Sequence, residues 1–120
     1  MKLARLALAL SAFVLAFVPA KADTADFYRG KTVRVLIGFG PGGSASLYAT
    51  ALSHHMGRFI PGNPAIVAQH MPGAGGLAVA NHIANSAPND GTAFAITGRT
   101  AAIEPLMGSA NAKFDGRKFG

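Results

Sequence analysis

Two glycine-rich segments are the parts of this sequence best suited to chemistry, because glycine lets backbone N–H groups come close to a ligand. In the first, Gly38, Gly40 and Gly43 spell G-x-G-x-x-G after an apolar run, the pattern of a dinucleotide-binding turn. That chemistry also needs an acidic side chain about 20 residues later, and the sequence has no Asp or Glu between Asp26 and Asp90. No Gly-Lys-Ser/Thr follows the loop, as a phosphate-binding loop requires, and no Gly-x-Ser-x-Gly hydrolase elbow is present. We therefore expect no nucleotide cofactor.

The second glycine-rich segment, residues 72–76, also stands between a predicted strand and a predicted helix. The amino end of a helix presents unpaired N–H groups and a partial positive charge. Two such ends meeting in one crevice would bind a carboxylate or phosphate without a charged side chain. The hydroxyls of Ser44 and Ser46 could add donors, and Arg99 could add a charge. The alternative is that the glycines only form turns, that Ser44 only caps a helix and that Arg99 is a solvated surface residue.

The elements that must position these loops alternate between strand and helix. Apolar runs at 32–37, 65–69 and 93–97 predict strands, each expected to be buried on both faces. A helix capped by Ser44 follows the first strand, and a second helix follows residue 76. The positions predicted to face the core are Leu47, Tyr48, Ala51, Leu52, His55, Met56 and Phe59 in the first helix, and Leu77, Ala80, Ile83 and Ala84 in the second.

This order predicts an α/β fold, β-α-β-α-β with parallel strands, because crossovers of about 25 residues are right-handed and join parallel strands. The carboxyl ends of such strands lie at one edge of the sheet, where ligands bind. Gly98 and Arg99 follow the third strand at the position that the two glycine loops occupy after the first two. An Asn89-Asp90-Gly91 turn precedes that strand.

Residues 1–22 have the pattern of a cleaved secretory signal peptide. The start is basic, residues 6–18 are almost wholly apolar, and small residues precede a predicted cleavage between Ala22 and Asp23. An apolar run of 13 residues is too short to span the roughly 30 Å of a bilayer's hydrocarbon core. The sequence therefore predicts export to the periplasm.

Composition and charge exclude several other functions. The 120 residues include no cysteine, which rules out a disulfide scaffold, a thiolate metal site and a cysteine nucleophile. The net charge of +6 falls to +3 over residues 23–120, and the longest basic cluster is Arg117-Lys118, so we expect no nucleic-acid partner. The four histidines have no acidic neighbours at zinc-ligand spacing. No Ser/His/acid set is evident either, so we expect no metal, no catalytic residue and no enzyme activity.

A signal peptide followed in order by three motifs, at residues 35–43, 71–76 and 87–92, resembles the substrate-binding proteins of tripartite tricarboxylate transporters, the Bug family. Residues 114–119 also look like the family segment that leads into the second lobe. The resemblance implies a periplasmic, two-lobed α/β protein that traps a small organic carboxylate and delivers it to the integral membrane subunits of a transporter. It also implies that the loops at 39–44 and 72–76 contact the carboxylate through backbone groups and ordered water.

The motifs and the resemblance together predict one set of ligand-binding residues. They are Phe39, Gly40, Pro41, Gly42, Gly43, Ser44, Ser46, Gly73, Ala74, Gly75, Gly76, Gly98 and Arg99.

The sequence departs from the family pattern in two respects. Family members commonly carry Asp where this chain has Ser46 and Arg where it has Thr50, which affects the expected specificity rather than the anion site. Family members are also much longer, so residues 23–120 are expected to be the N-terminal part of the first lobe, with the second lobe absent. Two alternatives stay open at this point: a non-functional fragment of a binding protein, and a small exported hydrolase.

Overall fold

The computed structural model describes residues 24–118, and its elements follow the predicted β-α-β-α-β order. The strands are Thr32–Ile37 (β1), Ala65–His70 (β2) and Ala93–Ile96 (β3). The α-helices are Thr24–Tyr28 (α1), Ser44–Met56 (α2) and Leu77–Asn85 (α3), and short 3₁₀ turns occupy Gly57–Phe59, Ala74–Gly76 and Gly116–Lys118. The predicted signal peptide lies outside the described residues. Within 24–118 no helix combines the length and apolar character needed to cross a membrane.

The three strands form one parallel sheet in the order β2-β1-β3, which confirms the α/β class. The central strand, β1, ends at Ile37, whose register partners are His70 on one side and Ile96 on the other. Beyond it the Gly38 N–H donates to the Ile96 carbonyl at 2.9 Å, and the Met71 N–H donates to the Ile37 carbonyl at 2.7 Å. The carboxyl ends of all three strands therefore lie side by side, as the sequence predicted.

Burial on both faces, predicted for every strand, holds only for β1. Its Val35, Leu36 and Ile37 are at most 1% exposed and are the centre of the core. By contrast, β2 alternates exposed and half-buried residues, and β3 is half-buried along its length. The reason is position, because the central strand is covered on both sides while each outer strand keeps one edge open.

The orientation of α2 contradicts the sequence prediction. The residues that face the sheet are Ser46, Ala49 and Ser53, all buried. The expected core residues Leu47 and Tyr48 are 65% and 78% exposed. Leu52, Phe59, Ala51 and His55 also face solvent, and of the predicted set only Met56 packs against the core.

Small side chains explain this orientation. Ser46, Ala49 and Ser53 lie on one face at helical spacing, so the helix can approach the sheet closely. Burying Ser53 carries little penalty, because its hydroxyl donates to the Ala49 carbonyl at 2.8 Å. The stripe of small residues therefore outweighs the larger apolar residues on the outer faces.

This orientation predicts which α2 substitutions matter. Ala49→Leu should lower the free energy of unfolding by about 1–3 kcal/mol, because the added atoms enter a packed core. Leu47→Ala, two residues earlier and on the exposed side, should change it by no more than about 0.5 kcal/mol. Urea denaturation followed by circular dichroism measures both. A larger loss for Leu47→Ala than for Ala49→Leu would show that α2 is turned the other way.

The first half of α3 packs against the core as the sequence predicted. Leu77 and Ala80 are buried, together with Val79, which the prediction did not include. Of the remaining predicted core positions, Ile83 is half-buried and Ala84 is exposed, which contradicts its assignment to the core.

Two asparagine side chains of α3 form hydrogen bonds with the backbone of the segment that follows β3. The Asn81 amide donates to the Asn111 carbonyl at 2.9 Å, and its oxygen accepts the Lys113 N–H at 2.7 Å. The Asn85 amide donates to the Lys113 carbonyl at 2.9 Å. The chain around Asn111 and Lys113 is thereby held against α3.

The predicted turn before β3 is present. The Asp90 carboxylate accepts the Thr92 N–H at 3.0 Å and the Thr92 hydroxyl at 2.5 Å, and Gly91 takes a φ of +80°. These hydrogen bonds, that of the Thr92 hydroxyl first, lower the pKa of Asp90. In the same way a paired Arg117 lowers the pKa of Asp115 to about 2. Both perturbed carboxyls lie outside the three loops.

Candidate functional site

The loops that leave the carboxyl ends of the strands touch one another through glycine backbones. They are loop 1 (residues 38–43), loop 2 (residues 71–76) and loop 3 (residues 97–99). A Cβ atom added at Gly38 would lie 2.9 Å from the Gly76 Cα atom, and one added at Gly76 would overlap the Gly98 nitrogen. A Cβ atom at Gly98 would in turn overlap the carbonyl oxygen of Gly75. No side chain fits at these contacts, so glycine is what allows the three loops to meet.

This geometry separates six of the seven predicted glycines into two groups, and at the seventh, Gly73, an added Cβ atom would lie 2.9 Å from the Ala78 Cβ atom. Gly76 and Gly98, predicted as ligand contacts, have a packing role, and ligand contact at either stays a prediction. Gly40, Gly42, Gly43 and Gly75 face open space, since a Cβ atom added at any of them would meet nothing within 4 Å. Those four glycines leave the backbone of loops 1 and 2 accessible.

Positive φ angles mark the accessible parts of both loops. Gly42 has a φ of +93° and Gly75 one of +64°, a region that residues with a side chain rarely adopt. Ala74 also has a positive φ, +45°, although it carries a side chain. This left-handed conformation costs such a residue about 1–2 kcal/mol. Strain of this kind collects at sites where the surroundings impose it. Loop 2 is therefore a shaped turn rather than a passive connection.

The amino end of α2 carries the free donors that the sequence predicted. The first hydrogen bond into the helix runs from the Leu47 N–H to the Gly43 carbonyl at 3.0 Å. Within the described residues no acceptor is found for the N–H groups of residues 42–46. The helix dipole adds a partial positive charge at the same place. Loop 1 and the first turn of α2 thus form a row of unpaired donors at the open edge of the sheet.

The amino end of α3 differs from the prediction. The turn Ala74–Gly76 lies in front of the helix, and the carbonyls around it take up several of the donors. The Gly76 N–H donates to Gly73 at 2.9 Å, and the Leu77 N–H donates to Ala74. The expectation of two equivalent helix ends with free N–H groups therefore holds for α2 only.

The sequence predicts that Ser44 caps α2, but in the structure it does not. The residue before the first turn is Gly43, with extended backbone angles, and no side chain makes a capping hydrogen bond. Ser44 is instead the first helical residue, and it is exposed. Because its hydroxyl is not used by the helix, it is available at the same edge as the free N–H groups.

Ser46 and Phe39 meet at a residue that the sequence analysis did not assign to the site, His70. The His70 Nδ1 atom lies 2.9 Å from the Phe39 carbonyl oxygen, and its Nε2 atom lies 3.5 Å from the Ser46 hydroxyl. Ser46 is only 4% exposed, and the Phe39 ring packs half-buried against the core. His70 thereby ties loop 1 to the first turn of α2. The register of β2 on β1 puts it there, and register cannot be read from a lone histidine in sequence.

The charges around the loops favour an anion. No Asp or Glu lies between Asp26 and Asp90, so β1, α2 and β2 carry no acidic side chain. Arg99 follows loop 3's glycine, is exposed, and takes part in neither ion pair found within residues 24–118. Of the remaining predicted contacts, Pro41 is exposed in loop 1 and Gly73 is half-buried in loop 2. Within residues 24–118 the side-chain carboxylates that accept backbone N–H hydrogen bonds are Asp90 and Asp115, and neither accepts one from loop 1.

Among residues 24–118 no three His, Cys, Asp or Glu side chains come close enough to hold a metal ion. The site's polar groups are backbone N–H, hydroxyl, imidazole and guanidinium, most of which donate hydrogen bonds. Hydrogen-bond donors suit an anion better than a cation.

Comparison with known proteins found no matching protein family, no curated protein and no solved structure similar to this chain.

Proposed function

We propose that this chain is a periplasmic solute-binding protein for a small organic carboxylate, and that it serves the integral membrane subunits of a tripartite tricarboxylate-type transporter. The observation that carries the binding proposal is the set of N–H groups at residues 42–46 for which no acceptor is found within residues 24–118, with residues 42–44 exposed to solvent and no acidic residue in the sequence between Asp26 and Asp90. Backbone donors at a helix amino end suit a carboxylate without a salt bridge. The transporter partner and the export step rest on the Bug-family motifs and the signal pattern of residues 1–22.

The proposal also holds that the protein is not an enzyme. Ser46 and His70 come within 3.5 Å, which is the one observation favouring the hydrolase alternative. The Ser46 hydroxyl, however, belongs to a residue only 4% exposed inside a helix, so a substrate carbonyl has little access to it. The pair is better suited to holding the site than to attacking a substrate.

Titration of the purified chain with acetate, tartrate and citrate tests the proposal, with two-dimensional ¹H–¹⁵N NMR as the readout. We expect the amide signals of residues 42–46 and Gly75 to shift with carboxylate concentration. Acetamide, which has the shape of acetate without its charge, should leave them in place. Equal shifts with acetamide, or none with any acid, would contradict carboxylate binding.

Two further readouts on the same preparation test the remaining parts of the proposal. The amino-terminal residue of protein recovered from the periplasm should be Asp23, and retention of Met1 would argue against export. Hydrolysis of p-nitrophenyl acetate should stay at the rate of buffer alone, and Ser46-dependent turnover would favour the hydrolase.

A further inference from the structure

The outer edge of β3 carries backbone groups without partners. The strand lies at one side of the sheet, with β1 as its neighbour. The Gly38 N–H donates to the Ile96 carbonyl at 2.9 Å, so Ile96 directs its backbone groups towards β1. Successive residues of a strand alternate in this respect, so Ala93, Ala95 and Thr97 direct theirs away from β1. Within residues 24–118 no hydrogen-bond partner is found for the backbone groups of these three residues.

A cavity of about 650 Å³ borders this edge. Ala93, Ala95 and Thr97 line it together with Ile83 of α3 and Leu106 of the segment that follows β3. Leu106 is 81% exposed. The strand itself contains neither a charged residue nor proline, with which proteins commonly protect an edge strand from pairing. The edge is thus unprotected, and the apolar surface beside it is open to another strand.

The opposite edge of the sheet, formed by β2, is less suited to pairing with a copy of itself. Residues 66–68 line a cavity that also contains His54 and Arg58, and no acidic residue lines that cavity. Pro64 directly precedes β2. Two copies meeting at this edge would bring basic side chains together, which is unfavourable. Of the two edges, β3 is therefore the one suited to self-pairing.

An antiparallel pair of β3 strands centred on Ala95 fits both side chains and backbone. In this register Ala95 lies opposite Ala95 of the second copy, and two methyl groups leave room for close approach. Phe94 lies opposite Ile96 of the second copy, an aromatic and β-branched pair of the kind that stabilises sheets. Ala93 lies opposite Thr97 of the second copy, so the outward-facing N–H and C=O groups of all three residues find partners.

Charges at the two ends of β3 favour the same arrangement. Asp90 precedes the strand and Arg99 follows it, and both are exposed. In the antiparallel register Arg99 lies opposite Gly91 of the second copy, one residue from Asp90, and two-fold symmetry repeats this pair. Within one chain the two residues stand at opposite ends of β3, and Arg99 takes part in neither ion pair of residues 24–118. A parallel pair would instead place like charges side by side.

We propose that this chain forms a two-fold symmetric homodimer through the outer edge of β3, with Arg99 of each copy paired to Asp90 of the other. The two three-stranded parallel sheets then join into one sheet through a central antiparallel pair. Because the same patch serves both copies, the interface closes on itself and no filament forms. The inference goes beyond the proposed function, and its test involves no carboxylate ligand.

Single cysteines test the register, since the chain has none of its own. Ala95→Cys places two thiols across the symmetry axis, where paired Cα atoms are about 5.5 Å apart, within the range of a disulfide. We expect oxidised glutathione to cross-link this variant into a species of twice the chain's mass. Ala51→Cys, on the exposed face of α2, is the matched control and should stay largely monomeric. Equal cross-linking of both variants would contradict the interface.

Charge reversal tests the ion pair. Arg99→Asp and Asp90→Arg each set like charges against each other in the homodimer, so the dimer dissociation constant from sedimentation equilibrium should rise about tenfold or more for either variant. Mixing the two variants should restore dimers, because both pairs of the mixed dimer again have opposite charges. Residues that acted separately would give no such rescue, so a mixture that stays monomeric overturns the inference.

A third variant separates the charge of Asp90 from its role in the turn. Asp90→Asn keeps an oxygen that accepts the Thr92 N–H, so the circular dichroism spectrum should stay unchanged while the dimer weakens about threefold. An unmodified chain that remains monomeric at millimolar concentration contradicts the proposal. So does a monomer that binds an added apolar peptide along β3, because the groove then belongs to a different partner. Neither result bears on carboxylate binding, so the proposed function is tested separately.

Discussion

Replacing Gly98 by alanine should destabilise the protein by about 3 kcal/mol, a loss at the upper end of the range for overpacking. The added Cβ atom would overlap the carbonyl oxygen of Gly75, a backbone atom that cannot move aside without shifting loop 2. Urea denaturation followed by circular dichroism measures the change as a lower midpoint with an unchanged slope.

Gly40→Ala is the matched control for this substitution. Gly40 lies in loop 1 with an ordinary negative φ, and a Cβ atom there meets nothing within 4 Å. The change should stay within about 0.5 kcal/mol. Similar midpoints for the two variants would show that loops 2 and 3 do not touch in the way described.

Gly42→Val should weaken carboxylate binding at least tenfold, or about 1.4 kcal/mol, while the protein stays folded. A φ of +93° excludes a β-branched residue, so loop 1 must take another path. The N–H groups of residues 43–46 would then no longer lie in one row. The tartrate dissociation constant, measured by NMR titration, gives the effect.

Two controls separate this site effect from general damage. Gly108→Val imposes a similar strain, at a φ of +72° with nothing within 4 Å, but outside the three loops, and should leave binding unchanged. Arg99→Ala removes an exposed charge and should weaken binding only two- to threefold, as expected for a solvated ion pair of about 0.5 kcal/mol. A larger loss with Arg99→Ala than with Gly42→Val would mean that charge, not backbone, builds the site.

Sequence patterns were sufficient for the order of the elements and for the edge at which their loops meet. Strand and helix periods differ, and glycine and proline punctuate them, so β1, α2, β2, α3 and β3 could all be located. The parallel crossovers then place the carboxyl ends together whatever the details of packing.

The orientation of α2 and the part played by His70 could not be obtained in this way. Hydrophobic periodicity detects the face of a helix that carries large apolar side chains. In α2 the face that packs against the sheet carries the small Ser46, Ala49 and Ser53 instead. The contact between His70 and Ser46 joins residues 24 positions apart and depends on the register of β2 beside β1. Both features come from how elements fit together, which local composition does not encode.

The strand order β2-β1-β3 determines when each edge of β1 can find its partner strand during synthesis. The most deeply buried strand, Thr32–Ile37, is made first yet occupies the centre, and its second neighbour begins only at Ala93. Until about 60 more residues have left the ribosome, one edge of β1 has no native partner. A short, β-prone apolar segment in that condition pairs readily with other chains. The interval between these two strands is thus the period in which the growing polypeptide is most exposed to aggregation and most in need of a chaperone.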